Sequence, residues 1–463
     1  MRQMGGSIAL ALALAAGGAQ AQPSSEELSK RLEQALRTIQ DLQARVQALE
    51  AAQQPPARPA AAASAAPPAQ VLTPPPAAAV AAAAAPAAPA ASAADTTVAA
   101  AKTRLEPYGQ VMLDAIYDAR RMNPAYQATM RPSQIPVNCP ADPGCGQDGA
   151  FVASVRQSSL GLRASLPTEW GELKTDLFFD LFGTDGGTNI HWQRAWAELG
   201  RWGVGQNDSN FMNIDAFPSV IDYWGPSGAV FLRNPQVRYA APAGEGRVWA
   251  VSLEAPNSVI DTGKLSQLDP ALGSGIAPHN RLPDLTGSLR IEGDWGHLKA
   301  AAILRRVGFQ TTTTPNGQPA KEQTGYGLNL SGALKLSERG TLGWDLAGGK
   351  AIASYISDGG TDLAPDARLR AQAVGSLGYF VYYGRAWDDK LTSSIGVSQH
   401  RQDNTAGQAG NALHTGSYAS ANLLYALNTH VLLGGEYIWG RRENKDGASA
   451  IDSRFQFSTR VNF

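Results

Sequence analysis

No run of about twenty unbroken apolar residues occurs anywhere in this chain of 463 residues, so a helical membrane span is excluded. Hydrophobic residues make up 43%, spread thinly rather than gathered in blocks. Charge is sparse and balanced: the formal net charge is −1, and no basic run points to nucleic acid. Six histidines are scattered without an H-E-x-x-H helix, and no G-x-S-x-G turn is present. The stretch Gly343 to Lys350 has the wrong spacing for a phosphate-binding loop, and Ala351 stands where Ser or Thr is needed. No catalytic constellation, cofactor motif or metal-ligand cluster emerges, which argues against a barrel enzyme such as a phospholipase. Cysteine is nearly absent too. Cys139 and Cys145, in C-P-A-D-P-G-C, are the only two, and in an exported chain they are expected to form a small loop disulfide.

Export is written into the first residues. Arg2, the apolar run Ile8 to Ala16 and the small-residue pattern Ala19-Gln20-Ala21 form a secretory signal over 1–21. The segment 22–52 repeats apolar residues at heptad spacing: Leu28, Leu32, Ala35, Ile39, Leu42, Val46 and Leu49. Only about three heptads are present, and so short a helix is marginal alone. A coiled coil held together by an oligomeric partner is expected. β-branched residues at a lean towards two strands, whereas Arg45-Val46-Gln47-Ala48-Leu49-Glu50 favours three, the state adopted here. Residues 53–101 are almost wholly Ala and Pro, an extended spacer in the periplasm.

From about residue 102 the period changes to two, and 102–463 is expected to be one domain. The last stretch is the clearest: Ile451, Phe455, Phe457, Val461 and Phe463 alternate with Asp452, Arg454, Gln456, Ser458 and Arg460. Sixteen such segments are expected, near 104–118, 152–166, 172–182, 190–199, 202–207, 229–241, 246–255, 284–294, 297–307, 325–336, 341–353, 367–382, 388–400, 414–427, 430–440 and 451–463. The gaps between them alternate long and short, as the loops and turns of an outer-membrane barrel do. The fold class is therefore all-β, a 16-stranded antiparallel transmembrane β-barrel preceded by a short α-helical coiled coil. A soluble sandwich has no reason to keep one end short throughout.

Charges facing lipid cost about 2–4 kcal/mol for Arg or Lys at midplane, so the strand charges should face a lumen. Candidates for the solute path are Arg163, Lys174, Arg194, Arg238, Arg290, Arg305, Arg368, Arg370, Arg454 and Arg460. Acids on the same face include Asp176, Asp180, Glu198, Glu254, Glu292 and Glu436, so mutual neutralisation competes with an anion-attracting path. Arginine outnumbers lysine 29 to 10. Its planar fork suits carboxylate or phosphate. The third long loop holds Asp208, Phe211, Asp215, Phe217, Asp222, Tyr223 and Trp224, too aromatic for an exposed loop. Folding into the barrel as a constriction is expected, with a subunit contact as the other explanation.

Several stretches resemble the DcaP-like outer-membrane porins: R-L-E-P-Y-G-Q-V-M-L-D-A-I-Y-D at 104–118, R-Q-S-S-L-G-L-R at 156–163, F-F-D-L-F-G at 178–183, G-V-G-Q-N-D-S-N-F-M at 203–212, R-N-P-Q-V-R-Y at 233–239 and L-P-D-L at 282–285. The resemblance implies a trimeric channel for small negatively charged solutes, dicarboxylates among them. It also implies pore-lining roles for Arg194 and Arg238. His191-Trp192-Gln193 departs from the basic pattern that the family has there. The partners implied are the chain itself as a homotrimer, outer-membrane lipid and lipopolysaccharide, and small anions; no cofactor is expected. The alternatives are a general or sugar-preferring porin, and a structural barrel whose coil and spacer tether the envelope.

Overall fold

The computed structural model describes residues 103–183 and 186–463. The signal, coiled coil and spacer lie outside the described residues. Sixteen strands form the wall: β1 (Arg104–Asp118), β2 (Ala150–Ser154 resuming as Ser159–Thr168), β3 (Gly171–Phe182), β4 (Thr188–Leu199), β5 (Trp202–Asp208), β6 (Arg233–Pro242), β7 (Arg247–Glu254), β8 (Asp284–Gly293), β9 (Gly296–Thr311), β10 (Ala320–Ser337), β11 (Gly340–Lys350), β12 (Gly375–Ala386), β13 (Leu391–Asp403), β14 (Leu413–Ala426), β15 (Val431–Asn444) and β16 (Ser449–Asn462). Each pairs antiparallel with the next. β16 closes on β1 in the register Gln110↔Asn462 to Asp118↔Arg454. The antiparallel 16-stranded barrel expected from the period-two pattern is therefore what the chain forms.

Burial is inverted relative to a soluble protein. On β16, Phe455 and Phe457 are exposed, while Asp452, Arg454, Gln456 and Ser458 are buried. On β1, Val111, Leu113 and Tyr117 face out, and Met112, Asp114, Ile116 and Asp118 face in. Alternation along each strand puts the greasy face on lipid and the polar face inside.

One expected strand is displaced. Alternation predicts a strand over 367–382, yet β12 begins only at Gly375. Leu369 has φ 56°, and Ala371–Ala373 instead pairs with Leu363–Pro365 as a small hairpin outside the wall. Alternation cannot tell a wall strand from a loop hairpin. The sixth strand likewise starts at Arg233, not 229.

At the seam, the Gly109 amide donates to the Phe463 carbonyl at 3.2 Å, and the Phe463 amide donates back at 3.1 Å. A Cβ at Gly109 would lie 2.4 Å from the Ser159 carbonyl oxygen and 2.8 Å from the Phe463 ring. The glycine is what lets the terminal ring lie flat across the junction. Gly109→Val should therefore overpack the seam by about 1–3 kcal/mol. The expected readout is a lower unfolding temperature of the folded band on a heat-modifiability gel, with no shift for Gly287→Val, where a Cβ meets nothing.

Candidate functional site: a charged barrel interior

The interior is organised by the loop at 209–232, which leaves β5 and returns at β6. It runs along the inner wall rather than out of the barrel. The amides of Ile221 and Asp222 donate to Glu436 of β15 at 2.5 and 3.1 Å. Asn422 of β14 donates to the Ser219 carbonyl, and Asn329 of β10 to that of Phe211. Ser209 and the Asn210 amide donate to Glu254 of β7. Tyr223 donates to Asp180 of β3 at 2.7 Å. Of the loop's aromatic residues, Phe211 is buried and Phe217, Tyr223 and Trp224 are half-buried. Phe211 lies edge-on to Tyr355 and Phe217 to Phe380, Tyr223 stacks on Phe182, and Trp224 lies beneath Arg131 at 3.9 Å. Asp208 pairs with Arg233 at 2.6 Å, and Asp215 pairs with Arg290 at 2.6 Å. Asp222 accepts from the Met130 and Gly225 amides.

A second inward loop, 119–149, was not anticipated. Met122, Met130 and Ile135 pack in one cluster with Ala216, Phe380, Tyr382, Tyr418 and Ile438. Ser133 and Arg131 bind Asp358 of the loop at 351–374. Burial raises the Asp358 carboxyl above its usual range, against the pull of Arg131 and the Ser133 hydrogen bonds. Burial likewise pushes Asp222 up to about 6, with Arg454 acting in the other direction. Cys139 and Cys145 are joined in a disulfide in this first loop.

The arginines proposed for a solute path divide into three groups. Arg305 and Arg454 are not free to meet a solute, because both are sealed from solvent. Arg305 is clamped by Asp284 at 3.1 Å and Asp362 at 3.5 Å and donates to the Ala351 carbonyl. Arg454 chelates Asp118 at 2.6 and 3.0 Å and reaches Asp222 at 3.6 Å. A buried charge has to be paired, and here the pairing staples loops to the wall. Arg368 and Arg370 are off the wall altogether, in the loop hairpin, where Arg370 pairs with Asp366 at 2.6 Å. The remaining six, Arg163, Lys174, Arg194, Arg238, Arg290 and Arg460, lie on wall strands with their side chains on the inner face.

Three of these line one open space. Arg163, Lys174 and Arg194, with Arg104, bound a cavity of about 620 Å³ at the turn end of β1–β4, together with Glu106, Glu172, Asp176 and Glu198. Its wall is a stack: Arg163 lies 4.0 Å over the Tyr108 ring, Tyr108 stacks on Phe178 at 5.6 Å, and Arg194 sits 4.8 Å over Phe178. Arg194 also binds Asp176 at 2.9 Å. Gly161 makes room for the Tyr108 ring, which a Cβ would meet at 2.2 Å. Arg460 borders a second cavity of about 300 Å³ beneath Ser219–Ile221.

Charges of both signs stand outside ion pairs. Glu254, Glu436 and Asp180 hold the 209–232 loop through neutral donors, and Asp114 accepts from Gln157, Gln456 and Ser458. Among the described residues, Arg163, Arg238, Lys299 and Arg460 have no carboxylate within the 4.0 Å of an ion pair. Arg238 is held by Gln236 at 2.7 Å and by the Asp208 carbonyl, and Lys299 donates to the Met212 carbonyl at 2.7 Å. Lys299 and the Tyr108–Phe178 stack escaped the sequence reading. Both sit on the inner parity of their strands, so alternation carried the signal.

A closed antiparallel barrel, apolar outside and ionic within, with long loops at one end and short turns at the other, defines an outer-membrane channel of the porin type. More particularly, it is similar to DcaP. Residues 80–264 match the family model described as DcaP outer membrane protein. The crystal structure of the outer membrane channel DcaP of Acinetobacter baumannii superposes with a TM-score of 0.67 at 21% identity, covering 78% of this chain and 97% of that one. An anion-selective porin from Comamonas acidovorans superposes at 0.51 with 9% identity, covering 78% and 100%. At these identities the likeness speaks to the fold. No curated protein matches the chain by sequence.

Glu436→Ala should strand the Ile221 and Asp222 amides, at a cost of about 1–3 kcal/mol for an unsatisfied buried group. The expected outcome is a loosened loop, read as a larger and noisier single-channel conductance in a planar bilayer.

Proposed function

We propose that this barrel lets small anionic solutes, dicarboxylate-type organic acids in particular, diffuse passively across the outer membrane. The observation that carries the reading is the set of inner-face cations outside any ion pair. Glu254, Glu436 and Asp180 fasten the inward loop, while Arg163, Arg238, Lys299 and Arg460 stand outside any ion pair among the described residues. In a narrow water-filled passage with low-dielectric walls, such cations raise the local anion concentration. Guanidinium groups at Arg163, Arg194 and Arg238 present planar donors that match a carboxylate. The 209–232 loop narrows the passage and brings the solute against them. The concentration gradient supplies the drive, and no cofactor enters.

The short turns then face the periplasm, the long loops the outside. The heptads at 22–52 gather three chains into a homotrimer on the periplasmic side, with the Ala/Pro segment 53–101 as spacer after a signal at 1–21.

Reversal potentials across a bilayer in a salt gradient test this directly. Anion preference is expected for the wild-type chain. The triple change Arg163→Gln, Arg238→Gln and Arg460→Gln should move the reversal potential towards zero and lower the flux of succinate into liposomes by about tenfold. Cation preference in the unaltered protein would sink the proposal, and equal rates for succinate and an uncharged sugar would favour a general porin.

A further inference from the structure

The outer surface of the barrel carries four cations that the passage does not use. Arg306 on β9, Lys350 on β11, Arg401 on β13 and Arg441 on β15 all share the outward face of their strands. Leu304, Leu346, Val397 and Tyr437, which are 52%, 45%, 51% and 41% exposed, mark that face two or four residues nearer the turns. Lys350 and Arg401 are exposed, and the side chains of Arg306 and Arg441 are 41% and 45% exposed. Each cation sits towards the loop end of its strand.

The register shows that they lie at one height. Arg306 pairs with Thr324 on β10, and two residues further towards the turns Tyr326 pairs with Lys350. Lys350 pairs with Gly375 on β12, and two residues further Leu377 pairs with Arg401. Arg401 pairs with Thr415 on β14, and two residues further Ser417 pairs with Arg441. Every crossing of two strands, about 9.6 Å, is thus matched by a two-residue step of about 6.6 Å along the strand. That ratio corresponds to a tilt of about 35°, the tilt of a membrane barrel. The turns drift in the same sense: Gly340 of β11 pairs with Arg385, and the following turn lies beyond it at 387–390. The four cations therefore form a level row parallel to the membrane plane. Acids stand two residues further out, with Glu443 bound to Arg441 at 3.0 Å and Asp403 beyond Arg401. Arg306 is shared with Glu322, also at 3.0 Å. Lys350 and Arg401, in the middle of the row, have no carboxylate within ion-pair distance among the described residues. Tyr326, beside Lys350 in the register, and Tyr437, four residues nearer the turns than Arg441, are outward aromatic residues of the kind that mark a membrane interface.

The row runs along β9 to β15. At the loop end of β8, exposed Arg281 binds the same Glu322 at 3.2 Å. At the loop end of β6, Arg233 is held by Asp208 at 2.6 Å and by Gln193.

We propose that Lys350 and Arg401, flanked by Arg306 and Arg441, form a docking site for the phosphate groups of a phosphorylated glycolipid in the outer leaflet. The site has its cations at headgroup height, an apolar wall beneath for acyl chains, and no inner-face function to explain it. Long cationic side chains reach the interface from just inside it, and each adds to the attraction for an anionic headgroup.

The test uses the full chain, folded and purified in a mild non-ionic detergent. Binding of fluorescent bisphosphorylated lipid A is measured by anisotropy, alongside the same glycolipid with its phosphates removed. The expected result is at least tenfold tighter binding of the phosphorylated form. Lys350→Gln with Arg401→Gln should abolish that preference, whereas Lys350→Arg with Arg401→Lys should retain it. Arg247→Gln, an outward cation at the turn end of β7, should leave it unchanged. Heat-modifiability verifies that each variant is folded, and the charge-retaining pair keeps the question open to decision should the glutamine pair fold poorly. Equal binding of the two glycolipids, or an equal loss with Arg247→Gln, would overturn the site. Displacement of the lipid by millimolar inorganic phosphate would also overturn it, showing a free-anion site in its place.

Discussion

Hydrocarbon offers the backbone no hydrogen-bond partner, and each amide or carbonyl left open there costs several kcal/mol. A sheet in that solvent has to close on itself, so the junction between the first and last strands is the constraint on which everything else depends. The nine register pairs between β1 and β16, and the reciprocal bonds of Gly109 with Phe463, discharge it. Closure then dictates the rest of the side-chain chemistry. The outward parity must be apolar to sit in lipid, and the inward parity is the only place left for charge. The burial of Asp114, Asp118, Arg454 and Gln456 on the two seam strands is the direct result.

A ring of sixteen strands is too wide for side chains alone to fill, so loops supply the interior. They carry backbone groups that also need partners, and the inner-face acids provide them. Glu436 receives two consecutive amides of the inward loop, and Glu254 receives a serine and an amide. The same logic explains Arg305 and Arg454, which bind carbonyls of the loops as well as acids. A charged inner wall is thus first a fastening surface. Only the charges left after fastening can act on a solute.

That distinction sets the limit of what the sequence conveys. Alternation located the wall because it reports the two faces of a strand, and the bounds of β1 coincide with the segment read at 104–118. It failed at 367–374 because the Leu363–Pro365 and Ala371–Ala373 pair alternates as well as a wall strand does, and only the positive φ of Leu369 separates them. Parity also placed Arg305 and Arg454 on the inner face correctly, yet said nothing of the loops that cover them. Whether an inward arginine meets water or a carboxylate depends on segments up to 336 positions away, as for Asp118 and Arg454. No local pattern encodes such a distance. The aromatic content of the third loop did signal an inward fold, because Phe211, Phe217 and Tyr223 have no stable place in water. The first loop carried a weaker signal, with Met130 and Ile135 dispersed among prolines.

The two sides of the wall therefore obey one rule with opposite results. Inside, arginine is plentiful, and its meaning depends on whether an acid reaches it. Outside, charge is excluded from the band and appears only where the band ends, so its position alone is informative. The level row on β9 to β15 is such a mark: two-residue steps in the register offset the tilt of the strands, so the four cations meet the edge of the band at one height.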